Sequence, residues 1–103
     1  MATDKPLTIR LLPKADYDME KIWKHTAANW SVDQANNYVA ALTSTFDLLA
    51  LSPLMARERR EFVPPVRIHP HQSHVIIYRL SEGYLDIVCV VHKKQNWWQL
   101  LGE

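Results

Sequence analysis

Hydrophobic and polar residues alternate along Leu7-Thr8-Ile9-Arg10-Leu11-Leu12, with Leu7, Ile9 and Leu11 on one side and Thr8 and Arg10 on the other. A period of two predicts a half-buried strand over residues 7–12, stopped by Pro13. The period then changes. Ala15, Met19, Ile22, Trp23, Thr26 and Trp30 recur at helical spacing, while Asp18, Lys21, Lys24 and His25 lie largely off that face. This predicts an amphipathic helix to about residue 30, with Asp16 as its N-cap and Asp18 and Glu20 near the positive end of its dipole.

Ser31-Val32-Asp33-Gln34 reads as a capping box, the Ser31 hydroxyl accepting from the Gln34 amide and the Gln34 side chain reaching back. Ala35, Tyr38, Val39, Leu42, Phe46 and Leu49 then mark one face of a second helix, ended by Ser52-Pro53 because the residue before proline avoids helical geometry. Two helices with almost no linker turn back on each other as a hairpin whose apolar face needs a sheet to cover it. Residues 54–65 hold Arg57-Glu58-Arg59-Arg60-Glu61 and then Phe62, a charged connection with an apolar latch. Three strands follow: 66–69, stopped by Pro70; 75–79, apolar on both faces and therefore interior; and 85–92, β-branched, long and interior too. Ser81-Glu82-Gly83-Tyr84 is the turn between the last two, with Gly83 free to take positive φ. The predicted fold is α+β: an N-terminal strand, a helical hairpin, then a three-stranded antiparallel meander, all forming one sheet in a single domain over 1–103 with its core at about 7–101.

Composition changes this picture mainly by exclusion. A chain of 103 residues is long enough for a real core. One cysteine excludes an internal disulfide framework and a cysteine zinc cage, and two glycines, Gly83 and Gly102, cannot build a glycine-rich phosphate cradle. No apolar run approaches the roughly 20 residues of a membrane span, and the first residues lack the apolar core of a signal peptide, so a cytoplasmic protein is expected. The net charge of +1 argues against coating nucleic acid. It conceals a split: residues 1–50 carry five Lys+Arg against six Asp+Glu, and residues 51–103 carry seven against five, with four of the five histidines.

The helix ending in Trp30, the Ser31-Val32-Asp33-Gln34-Ala35 junction and the run from Tyr38 through Leu42, Phe46 and Leu49 to Pro53 resemble the helical hairpin of ParE-type toxins. Arg57-Glu58-Arg59-Arg60-Glu61-Phe62, Ser73-His74-Val75-Ile76-Ile77-Tyr78-Arg79 and Ile87-Val88-Cys89-Val90-Val91-His92 resemble that family's following segments, in the same order. Ala56 stands where the family usually has glycine. Lys93-Lys94 replaces a small residue and arginine, keeping charge but losing the planar fork of a guanidinium. The resemblance implies the toxin of a type II toxin–antitoxin pair in the RelE/ParE superfamily, a class associated with plasmid stabilisation and growth inhibition. It further implies a ParD-like antitoxin partner, inhibition of DNA gyrase by direct binding rather than catalysis, and no cofactor, metal, membrane or sequence-specific nucleic-acid partner of its own. The alternative is a RelE-type ribosome-dependent mRNA endonuclease; a third reading is a toxin fold kept as a non-toxic binding module.

The two activities need different residues. A gyrase inhibitor needs a surface, for which Arg57, Arg59, Arg60, His92, Lys93, Lys94, Trp97 and Trp98 are the candidates. A ribonuclease needs a base, an acid and cations around phosphate, for which His92, Arg57, Glu58 and Glu61 are the candidates. The simpler reading is that His92 caps a strand and the Arg/Glu run pairs with itself. Adjacent Trp97 and Trp98 cannot both face one core in an extended segment, so one packs and one is exposed. His69, His71 and His74 lack a nearby carboxylate and read as a strand end rather than a metal site. Cys89 and Tyr78 read as core residues. For the antitoxin, 66–68 or 7–12 is expected at a free sheet edge, open to an added strand, with a helix groove beside the hairpin.

Overall fold

The computed structural model describes residues 5–101; the N-terminal 1–4, Gly102, Glu103 and the Leu100 side chain lie outside the described set. The chain runs β1 (Thr8–Leu11), α1 (Pro13–Asn29), α2 (Val32–Leu51), a short 3-10 turn at Pro53–Met55, β2 (Glu58–Arg59), β3 (Val66–His71), β4 (His74–Ser81), β5 (Tyr84–His92) and a 3-10 tail at Trp97–Leu101. The sheet order is β1-β5-β4-β3-β2, with β1 parallel to β5 and every other pair antiparallel.

Pro13 does more than stop the first strand. It opens α1 at a position where its missing N–H would have had no helical partner. Leu12 is therefore the N-cap and has no side-chain cap, while Asp16 lies one turn inside, donating its N–H to Leu12 O; the expected Asp16 cap is corrected accordingly. The Ser31 hydroxyl does accept from the Gln34 amide at 3.0 Å, but the Gln34 side chain makes no return bond. Trp30, expected on the buried face, is 72% exposed, because α1 ends at Asn29 and the chain has already turned.

The helical hairpin covers one face of the sheet. Ala15, Met19 and Ile22 of α1 and Leu42, Phe46 and Leu49 of α2 pack on Ile76, Tyr78, Leu85, Ile87 and Val90. Tyr78 is fully buried, and its hydroxyl donates to Pro53 O at 2.9 Å, tying the end of the hairpin to the middle of the sheet. The other face has its own smaller core of Phe62, Val66, Val75, Ile77, Cys89 and Val91, with Ile68, Val88, Trp97 and Leu101 against it. Two covered faces explain why the β4 and β5 sequences are apolar at nearly every position. Between the Ile77–Cys89 and Tyr78–Ile87 pairs, Val88 is an extra residue on β5, and the bulge lets Ile87 and Val90 both face the helices.

Three boundaries differ from expectation. Glu58 and Arg59, read as part of a charged connection, pair with Arg67 and Val66 as a fifth strand. Consequently β2, not β3, forms the edge beside Val66, whereas β1 does lie at the opposite edge. Strand β3 also continues past Pro70 to His71; β2 covers only Val66 and Arg67, so the missing proline N–H falls on an uncovered stretch of strand edge. The Gly83 turn forms as expected, with φ of 77°.

Candidate functional site

The Arg-rich segment and the tail are joined across the sheet face away from the helices. The Arg59 guanidinium lies 5.8 Å from the centre of the Phe62 ring. Phe62 packs on Trp97 with ring centres 6.1 Å apart, and Trp97 meets Trp98 edge-on at 5.6 Å. Trp97 is half-buried against the second core, while Trp98 is 45% exposed, the division of labour that the adjacent pair predicted. Phe62, the apolar latch, is thus the hinge between both candidate segments. Lys93 and Lys94 stand exposed in the turn between β5 and the tail, and Arg57 and Arg60 are exposed on either side of Arg59 in the chain.

Within the Arg segment the charges pair locally. Arg59 Nε donates to Glu61 Oε2 at 2.7 Å, and Arg60 Nε donates to Glu58 Oε1 at 3.0 Å. The Glu61 carboxyl is held below its ordinary value by a backbone hydrogen bond and by Arg59. His92 is exposed at the end of β5, its Nδ1 accepting from the Lys94 amide at 3.2 Å. Strands β4 and β3 separate β5 from β2, about 14 Å at the usual spacing between strands. The candidate ribonuclease set of His92, Arg57, Glu58 and Glu61 is therefore not gathered at one point, and both glutamates are engaged by arginines.

A second cluster was not anticipated as a unit. His74 at the start of β4 shares a hydrogen bond through Nδ1 with the Tyr38 hydroxyl of α2 at 2.7 Å, stands 5.5 Å from the His92 ring, and is flanked by His71. Burial, then the neighbouring His92 and His71, push its pKa down to about 4. Burial also lowers the His71 pKa. The Thr45 hydroxyl lies 3.2 Å from His71 Nδ1, and Nε2 is buried without a partner among the described residues. No group of three or more His, Cys, Asp or Glu among the described residues is arranged to hold a metal ion. Cys89 is buried in the second core, with burial pushing its thiol up to about 11.

The residue that sequence reasoning missed most clearly is Asp18. Expected off the buried face, it is only 5% exposed. Its Oδ2 accepts the Val90 amide at 3.0 Å and its Oδ1 takes Lys14 Nζ. β1 pairs with β5 only as far as Leu11 and Ile87, so the Val90 N–H has no strand beside it and the carboxylate substitutes for one. One pair back along the same pairing, Arg10 forks onto Asp86 at 2.7 and 3.1 Å and lies 3.8 Å from the centre of the Tyr84 ring. That fork lowers the Asp86 pKa. Among the described residues no helix is long and apolar enough to cross a membrane.

Comparison with known proteins agrees with this architecture. The family described as "ParE toxin of type II toxin-antitoxin system, parDE" matches residues 9–97. Toxin ParE1 of Mycobacterium tuberculosis (strain CDC 1551 / Oshkosh) is 36% identical over 87 residues, covering 84% of this chain and 89% of that protein. Toxin ParE1 of Caulobacter vibrioides is 30% identical over 87 residues, covering 84% and 90%. A solved structure titled "Chromosomal ParDE TA system from P. aeruginosa" superposes with a TM-score of 0.73 at 17% identity, covering 84% of this chain and 95% of that one, a likeness of fold. With the matched region spanning the sheet, the helical hairpin and the start of the tail, the chain belongs to the ParE toxin family of type II toxin–antitoxin systems.

Proposed function

We propose that this toxin inhibits DNA gyrase by direct binding, blocks replication from the cytoplasm, and is neutralised by a ParD-like antitoxin. The observation that carries this reading is the continuous run from Arg59 through Phe62 and Trp97 to Trp98, flanked by Arg57, Arg60, Lys93 and Lys94. Exposed tryptophan and arginine beside a half-buried aromatic base make the composition of a protein-binding hot spot. The same residues supply no acid–base pair within reach of a common phosphate, which favours binding over ribonuclease chemistry. His92 joins the surface at the root of the tail, where it orders the turn through Lys94.

The test is to add the purified toxin to a gyrase supercoiling reaction and, separately, to a translating ribosome extract. Loss of supercoiling with trapped, cleaved DNA is the expected result. Lys93→Glu with Lys94→Glu, and Trp98→Ala, weaken the inhibition while leaving the fold intact. Cleaved mRNA with untouched gyrase overturns the proposal in favour of a RelE-type nuclease.

A further inference from the structure

We propose that the cleft between α1 and the uncovered end of β5 receives an extended, acidic segment of the antitoxin. This inference rests on the antitoxin reading above and assigns it a place. The cleft is about 240 Å³ and is walled by Lys14, Asp18, Lys21 and His25 on one side and by His74 and His92 on the other. Small-molecule sites run to roughly 300–1,000 Å³, so this space suits a side chain or two rather than a cofactor.

Two features select the occupant. The first is the open strand edge. Leu12 N–H donates to Ile87 O, after which the chain leaves the sheet as α1. Lys93 N–H turns inward to Ser73 O, so strand alternation directs the N–H of His92, like that of Val90, outward toward the cleft, while the His92 carbonyl already accepts the Gln95 amide at 3.0 Å. Asp18 satisfies the Val90 N–H; an incoming extended chain meets the His92 N–H beyond it. The second feature is charge. Asp18 is the one carboxylate among the lining residues and is already engaged by Lys14 and Val90. Among the described residues Lys21 has no carboxylate partner; its contact is the Tyr17 ring, 5.5 Å from its ammonium. An acidic side chain entering the cleft completes the pairing of Lys21, and its backbone runs beside β5. The occupant abuts His92, immediately before Lys93 and Lys94, so the same contact covers the root of the candidate gyrase surface.

The test uses the toxin and the antitoxin encoded beside it, with affinity measured by titration calorimetry at low and moderate salt. Lys21→Glu is expected to weaken the complex at least about tenfold, and Lys21→Ala roughly threefold. Lys24→Glu makes the same charge change on the neighbouring turn, where Lys24 pairs with Glu20 at 3.1 Å outside the cleft, and is expected to change affinity less than about twofold. Backbone amides of residues 88–92 exchange more slowly in the complex than in the free toxin. A complex that forms normally with both Lys21 variants, or protection confined to other segments, overturns the cleft while leaving the antitoxin reading standing. Absence of any complex overturns both.

Discussion

Acidification destabilises this fold through His74 before the carboxylates begin to protonate. The ring shares a hydrogen bond with the Tyr38 hydroxyl through Nδ1, and it faces His92 on β5, His71 on β3, and Asp18 and His25 on α1. Burial and the two flanking histidines hold its pKa at about 4 against an ordinary 6.5, with Asp18 pulling the other way. The folded pKa lies below the unfolded one, so between these values the unfolded chain binds the extra proton. The contribution is complete above pH 6.5 and is lost progressively as pH falls toward 4. Going from about pH 7.5 to about pH 5, a shift of this size has a ceiling of about 2 kcal/mol. The ring is only half withdrawn from water, which reduces this to roughly 1 kcal/mol. Urea unfolding of the wild type and of His74→Asn, whose amide keeps a hydrogen-bonding partner for Tyr38, measures the difference. The variant is less stable at neutral pH, but its stability falls less on acidification. Parallel decline of the two proteins refutes the assignment.

Asp18→Ala leaves the Val90 amide without a partner and is expected to cost about 2 kcal/mol in denaturant unfolding, whereas Asp18→Asn, which keeps an acceptor, costs less than half as much. The adjacent tryptophans separate in the same assay: Trp97→Ala costs about 2–3 kcal/mol through its lost packing on Phe62, and Trp98→Ala stays within about 0.5 kcal/mol. Gly83→Ala meets nothing within 4 Å, so its cost is the backbone alone at φ 77°, about 1 kcal/mol. Gln72→Gly relieves a positive φ of 52° in the preceding hairpin and raises stability by roughly 0.5 kcal/mol, a change of opposite sign to read in the same melting series.

Much of this architecture was legible because local and global signals agree. The i, i+3, i+4 spacing from Ala35 to Leu49 is the buried face of α2, and the Ser31 cap and Pro53 stop bracket it. What escaped depends on partners distant in sequence. Nothing near Asp18 signals that β1 ends two residues before α1 begins and leaves Val90 in need of an acceptor 72 positions away. The Glu58–Arg59 strand is equally illegible, since two charged residues carry no period and pair only because β3 offers an edge. The histidines at 71, 74 and 92 read singly as strand ends; only the fold stacks them with Tyr38.

The two covered faces of the sheet are unequal. On one, the helical hairpin supplies the larger core and closes over the middle strands, with Tyr78 bonded to Pro53 at the end of the hairpin. On the other, a few residues from β2 onward and the tail make a thinner core in which Phe62 and Trp97 are the principal aromatic contact. The exposed candidate residues stand on this thinner layer, each next to a residue that anchors it: Trp98 beside Trp97, Arg60 and Glu61 beside Phe62. An anchor lost from the layer releases the tail and the Arg segment together, because both rest on the Phe62–Trp97 contact. Substitution of either aromatic therefore confounds loss of folding with loss of binding, while substitution of the exposed Trp98, Lys93 and Lys94 tests the proposed surface without removing its anchor.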